Sequence, residues 1–170
     1  VTGAGGSIGS VVCLEVARFA PQRLVLIELS EFALYTVSQA LAERFPSLSI
    51  TPLIGDAKDL ARMREVMCTW RPAVVFHAAA YKHVPLMEAN PGEAVKNTVL
   101  ATYRLATMAH DFHVQSFVMI STDKAVNPTN VMGACKRVAE LYVQSLAEKS
   151  DTRFVTVRFG NVLDSAGSVV

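Results

Sequence analysis

Little in this chain announces a partner. Lys and Arg number 16 against 15 Asp and Glu, a formal charge of +1, so no bulk field draws a nucleic acid or an anionic membrane, and any site for a polyanion has to be local. The three cysteines, Cys13, Cys68 and Cys135, stand far apart without a CxxC spacing, which excludes a disulfide framework and a zinc knuckle and fits a reducing cytoplasm. No apolar run approaches the ~18 residues of a membrane span, and the longest candidate, 73–80, is interrupted by His77. A basic-then-apolar leader is also missing, so membrane attachment would come only through segments outside these residues. Repeats and low-complexity linkers are absent. With 51% hydrophobic and 18% charged residues, disorder is excluded in turn.

What remains is alternation. Short apolar runs at 24–27, 48–54, 73–76, 116–120 and 154–157 read as buried strands. Stretches at 8–18, 31–44, 60–67, 92–110 and 131–148 carry apolar residues at helical spacing, punctuated by Ser30, Pro46, Asp59, Asn90-Pro91 and Asn130. Strand and helix in turn predict a doubly wound α/β domain with a parallel sheet and right-handed crossovers. Residues 1–170 read as one such dinucleotide-binding domain, a fragment of a longer catalytic domain. Only Val1 and Thr2 precede the glycine loop, where a whole strand is expected, and the segment after Gly160 closes no further element.

Gly3, Gly6 and Gly9 form a GxxGxxG loop that opens a helix at Ser7 and Ile8. Absent side chains there let the backbone approach a pyrophosphate at the helix N-terminus. Glu28 ends the next strand nineteen residues beyond Gly9, where a carboxylate accepts hydrogen bonds from an adenosine ribose, with Ser30 beside it. No Arg follows Glu28, so NAD is favoured over NADP. Asp56, with Ala57, follows the third expected strand and can reach an adenine amino group or serve as a solvated turn residue. Ala78, Ala79 and Ala80 can run beside a flat cofactor or simply fill tight core space. Thr122, Asp123 and Lys124 place an alcohol, a carboxylate and an amine at a strand's carboxyl end, either for proton transfer or as a solvated turn. Met132 and Lys136 lie one helical turn apart on one face. His110, Asp111 and His113 lack a third convincing metal ligand, so no metal is expected. His77, Trp70, Phe76 and Phe117 read as core, and Arg62, Arg64 and Arg71 as a solvated face.

Four stretches resemble one family. They are 2–10 (TGAGGSIGS), 77–88 (HAAAYKHVPLME), 121–133 (STDKAVNPTNVMG) and 158–163 (RFGNVL), and together they are similar to the nucleotide-sugar 4,6-dehydratases of the extended short-chain dehydrogenase/reductases, specifically those of polysaccharide biosynthesis acting on UDP-N-acetylglucosamine. Met132 stands where the superfamily's tyrosine would be, as in one branch of that family. The resemblance implies a UDP-sugar substrate and a redox-neutral cycle: bound NAD takes hydride from C4, the C5 proton leaves, water departs from C6, and hydride returns to C6. It also implies Lys124 as the base at C5, Asp123 as the acid for the C6 hydroxyl, Thr122 as the holder of the C4 oxygen and Lys136 on the nicotinamide ribose. The C4 hydroxyl proton falls to Asp123, Lys124 or water. Tyr81 and Lys82 would line the sugar pocket and Asn161 would contact the diphosphate. Against the family pattern, Cys135 replaces a serine, Thr98 an asparagine and Asp164 a glycine. A 4-epimerase or reductase, and a non-catalytic NAD-binding module, are the competing readings; a homo-oligomer is compatible with all three.

Overall fold

The computed structural model describes residues 1–160; Asn161 and Asp164, singled out above, lie outside the described residues. Strand and helix alternate as expected: α1 (Ser7–Ala17), β1 (Leu24–Glu28), α2 (Glu31–Arg44), β2 (Ile50–Ile54), α3 (Leu60–Trp70), β3 (Val74–His77), α4 (Val84–Ala89), α5 (Pro91–Ala94), a π-helical stretch (Val95–Leu100), α6 (Ala101–Asp111), β4 (Ser116–Thr122), a 3-10 turn (Asp123–Ala125), α7 (Val131–Ala147) and β5 (Arg153–Phe159). Every strand pairing is parallel: β1 with β2, β3 with β4, and β4 with β5. Thr2 bridges Ile27 on one side and His77 on the other. Val1 and Thr2 therefore occupy the central slot between β1 and β3, giving the spatial order β2, β1, Thr2, β3, β4, β5. This is the Rossmann arrangement, whose strand order reverses at that central position.

Alternation along β1 divides the core in two. Leu24 and Leu26 face a cluster built with Cys13, Ala17, Leu34, Val37 and Leu41 of α1 and α2. Ile27, with Val25 packed beside it, faces the other cluster, where Met63 and Val66 of α3, Leu105 of α6 and Val143 of α7 meet Phe117 and Met119. Strand side chains point to opposite faces, so helices must cover both, which is what parallel strands this apolar require. A small pocket lined by Val25, Ile27, Met63, Trp70 and Leu105 lies beside Val1; its walls are almost wholly apolar and offer nothing to orient a polar ligand.

The structure differs from these expectations in several places. The single helix expected over 92–110 is α5, the π-helical stretch and α6 in succession, because one inserted residue widens the turn, a feature that periodicity counting does not see. The short helix α4, with Pro85 in its first turn, fills what reads as a loop. Trp70 and Phe76 are half-buried and not full core, whereas Phe117 is completely buried. Among the described residues no helix is long and apolar enough to cross a membrane.

Replacing Phe117 by Ala should cost about 3–5 kcal/mol of unfolding free energy, whereas Phe19→Ala, at a residue 85% exposed, should change it by no more than about 0.5 kcal/mol. Urea titration of the two variants checks the contrast.

Candidate active site

Each parallel strand delivers its carboxyl end to the same edge of the sheet, and the chemically useful residues follow those ends. Gly3 begins the loop after Thr2 with φ +67, and a side chain there would collide with the Ala79 backbone at 2.7 Å. Only glycine lets the loop run against the alanine segment that leaves β3. α1 then starts at Ser7 with no side-chain cap, leaving its first amides for a ligand. Glu28 ends β1 with a tightly held carboxylate: Oε2 accepts from Gly5 N at 3.0 Å, and Oε1 from Leu29 N at 2.8 Å and Ser30 N at 3.0 Å.

These pieces wall a cleft at the centre of the sheet edge. Gly3, Gly6, Glu28, Asp56, Ala57, Ala78, Ala79, Ala80 and Tyr81 of the expected residues line it. The cleft fits a dinucleotide: a glycine loop and uncapped helix start for the pyrophosphate, a fixed carboxylate for a ribose and a small-residue wall for a flat ring. Ser7, Ile8 and Gly9 form the start of α1 behind it. Ser30 stands apart from the wall and caps α2, accepting from Ala33 N at 3.3 Å. Asp56 lines the cleft, while Oδ1 accepts from Lys58 N at 2.8 Å and Oδ2 pairs with Lys58 Nζ at 3.4 Å.

Asn97 is a wall residue that the sequence reading passed over. It sits in the π-helical stretch, and its Oδ1 accepts from Tyr81 N at 2.8 Å, so the widened turn holds the segment after β3 in place. Lys82 lies exposed next to Tyr81. His77 is the buried histidine expected. Its two ring nitrogens lie 2.7 Å from Thr2 Oγ1 and 3.1 Å from Thr102 Oγ1, and burial pushes its pKa down to about 3. Among the described residues no group of three metal-ligating side chains forms, and His110 bonds Ser150 instead.

The second half of the site hangs between β4 and α7. Thr122 closes β4 and donates to Asp123 Oδ1 at 2.9 Å, while Lys124 Nζ donates to the same oxygen at 3.2 Å. Those two hydrogen bonds, Thr122's first, hold the Asp123 carboxyl below its ordinary range. The three side chains expected to act together are in contact. Helix α7 opens at Asn130, whose side chain accepts from Gly133 N at 2.8 Å, and Glu88 of α4 accepts from Val131 N at 2.6 Å. A Cβ on Gly133 would overlap the Lys124 carbonyl, so this glycine, not marked as special in the sequence, lets the helix press against the Asp123–Lys124 turn.

Met132 is buried among Met87, Ala94 and Cys135, an apolar setting with no proton to offer. Lys136 is buried and donates from Nζ to Ile120 O at 2.8 Å; burial pulls its pKa down to about 8, against the attraction of Glu140. Glu140 was also missed. It is 4% exposed and accepts from Ser121 Oγ at 2.7 Å, from Arg137 at 3.1 Å, and from Arg158 Nε and Nη2 at 2.8 and 2.6 Å. An acid one turn beyond Lys136 on the buried side of an amphipathic helix was the available signal.

Two predictions follow from this geometry. Gly133→Ala should destabilise by about 1–3 kcal/mol through the clash with the Lys124 carbonyl, read in urea titrations. Burial alone would raise the Glu140 pKa, but donors from Arg158, Ser121 and Arg137 bring it down to about 2 from an ordinary 4.5. Its contribution, on the order of 3 kcal/mol, is then complete above pH 4.5 and lost as pH falls toward 2. Glu140→Gln should lack that component of acid destabilisation, so its unfolding free energy should fall less steeply than the wild type's between pH 5 and 3.

Comparison with known proteins places the chain. The family profile described as "Polysaccharide biosynthesis protein" matches residues 1–170. The chain is 52% identical over its full length to the capsular polysaccharide biosynthesis protein CapD of Staphylococcus aureus, covering 29% of that protein. It is 35% identical, again over its full length, to the UDP-N-acetylglucosamine 4,6-dehydratase (inverting) of Campylobacter jejuni, covering 50%. Among solved structures, Pen from Bacillus thuringiensis superposes with a TM-score of 0.87 at 35% identity, over 99% of this chain and 51% of that one. The UDP-glucose 4-epimerase of Brucella ovis in complex with NAD superposes at 0.79 with 23% identity, over 94% of this chain and 50% of that one, a likeness of fold. The chain thus spans about half of these proteins or less. With the profile matched over residues 1–170, this chain belongs to the polysaccharide biosynthesis protein family.

Proposed function

We propose that the protein carrying this chain dehydrates a UDP-N-acetylhexosamine, UDP-N-acetylglucosamine foremost, to a UDP-4-keto-6-deoxy sugar with NAD as resident cofactor. The observation that carries the reading is the trio Thr122, Asp123 and Lys124, hydrogen-bonded together at the carboxyl end of β4, on the sheet edge that also bears the dinucleotide-shaped cleft. Removing water across C5 and C6 needs a base and an acid besides whatever handles C4, and an epimerase has no use for that pair. The 35% identical dehydratase relative supports the same reading. NAD, when bound, supplies hydride uptake at C4 and its return at C6.

The residues divide the remaining work among themselves. Gly3, Gly6, the start of α1 and Glu28 hold the dinucleotide, with Asp56 toward the adenine and Lys136 toward the nicotinamide ribose. Tyr81 and Lys82 face the sugar. Thr122 binds the C4 oxygen, and because its hydroxyl already donates to Asp123, the C4 proton passes by way of Thr122 to that carboxylate. Asp123 then gives that proton to the C6 hydroxyl, which leaves as water, while Lys124 takes the C5 proton and returns a proton to C5 at the end. Proton balance closes without the phenolate that Met132 replaces.

In the full-length protein, Asp123→Asn and Lys124→Met should each lower formation of the keto product from UDP-N-acetylglucosamine by about 10²–10⁴-fold, with NAD affinity little changed, as followed by mass spectrometry and calorimetry. Either variant running at the wild-type rate would contradict the assignment.

A further inference from the structure

Glu140 is buried, charged and absent from the chemistry described so far, yet four hydrogen bonds converge on its carboxylate. A buried acid removed from water is costly unless every lone pair is engaged, and such networks are kept where they fix a geometry. The geometry here is specific. Ser121, which donates to Glu140, stands between Ile120, whose carbonyl receives the Lys136 ammonium, and Thr122, the first member of the trio. Arg158 pairs in register with Ser121 on the neighbouring strand and engages Glu140 with both ends of its guanidinium fork, the strongest geometry available to the pair. One carboxylate therefore ties α7 to the carboxyl ends of both β4 and β5.

We infer that Glu140 is the positioning residue of this site, clamping the ends of β4 and β5 to α7 so that the Ile120 carbonyl stays under the Lys136 ammonium and Thr122 stays at a fixed place beside it. The inference rests on the reading of Lys136 as the ribose contact, although the clamp itself is independent of which sugar is bound. Its second effect is electrostatic. With methionine at 132, no phenolate accompanies Lys136, and Glu140 is the acid whose attraction opposes the loss of the lysine's charge on burial. Among the described residues, the other titratable and charged groups around Lys136 include Cys135 and Arg137 on its own helix, Arg158 at the end of β5, Asp123 and Lys124 in the turn after β4, and His77 at the end of β3. His77 is neutral at ordinary pH.

The test reads Lys136 directly, in the full-length protein without NAD, from the pH titration of its ¹⁵N resonance, identified by its loss in Lys136→Met. The wild-type midpoint is expected near 8. Glu140→Gln removes the negative charge and should move the midpoint down, and Glu140→Asp should bring it part of the way back. Arg158→Gln leaves the acid and removes a neighbouring cation, so it should move the midpoint up. That opposite sign keeps the test open if Glu140→Gln fails to fold, and a merely structural clamp would not produce it. A wild-type midpoint near the ordinary 10.5, no displacement in Glu140→Gln, or a downward displacement in Arg158→Gln would overturn the inference. Lys136 shifting as predicted in a protein that leaves UDP-N-acetylglucosamine unchanged would retire the dehydratase reading and leave the clamp standing.

Discussion

Thr2 donates its amide to Phe76 O at 2.9 Å and receives Ala78 N on its own carbonyl at 3.1 Å, while Val1 O accepts from Ile27 N at 2.9 Å. Through these two residues the β1–β2 pair and the β3–β4–β5 trio meet, and the glycine loop issues from the junction. Glu28 therefore lies on one side of the loop and Ala78 to Ala80 on the other. The buried hydroxyls of Thr2 and Thr102, joined through the neutral His77 ring, brace the same junction from β3 to α6. A parallel sheet places its ligand where the strand order reverses, and here that place is held by a handful of backbone hydrogen bonds and one histidine.

From that junction outward, the site is assembled by contacts that each need a particular residue at a close approach. Gly3 admits the Ala79 backbone, Gly133 admits the Lys124 carbonyl, and Asn97 of the widened turn holds the amide of Tyr81. Lys136 gives up water to sit on the Ile120 carbonyl, and Glu140 compensates from one turn away. The trio itself stays at the surface, Asp123 most of all, where a substrate can reach it. Rigid support beneath and accessible chemistry above is the division of labour that strand ends and the loops after them provide.

Much of this was legible beforehand because it is written in local pattern. The GxxGxxG loop, the acid at the end of the next strand, the alternating runs and the cluster at 121–124 are all contiguous or regularly spaced, and the structure gathers most of the expected cleft residues around one cavity. His77 was legible too, as a buried and bonded histidine. Other features depend on what the chain meets after it folds. A π-helical turn is one extra residue in an otherwise continuous helix, so Asn97 could not be placed on the cleft by counting. Gly133 reads as any glycine until the Lys124 carbonyl arrives beside it. Glu140 reads as one acid among many until Ser121, Arg137 and Arg158 converge on it from two strands and its own helix. Ser30, expected near a ribose, also caps the start of α2, which satisfies its hydroxyl locally. Arg62 departs from a purely solvated face as well, bonding the Ile54 carbonyl at 3.4 Å and Glu65 at 2.8 Å.

The central claim is that a cofactor cleft and a proton-transferring trio share one edge of this sheet in order to remove water from a nucleotide sugar. The most direct measurement incubates the full-length protein with UDP-N-acetylglucosamine and NAD in deuterated water, then reads the product by mass spectrometry and NMR. The account predicts loss of one water and a single deuterium at C5, with the hydrogen that left C4 now at C6. Recovery of the sugar unchanged, or as its C4 epimer with no water lost, would contradict it.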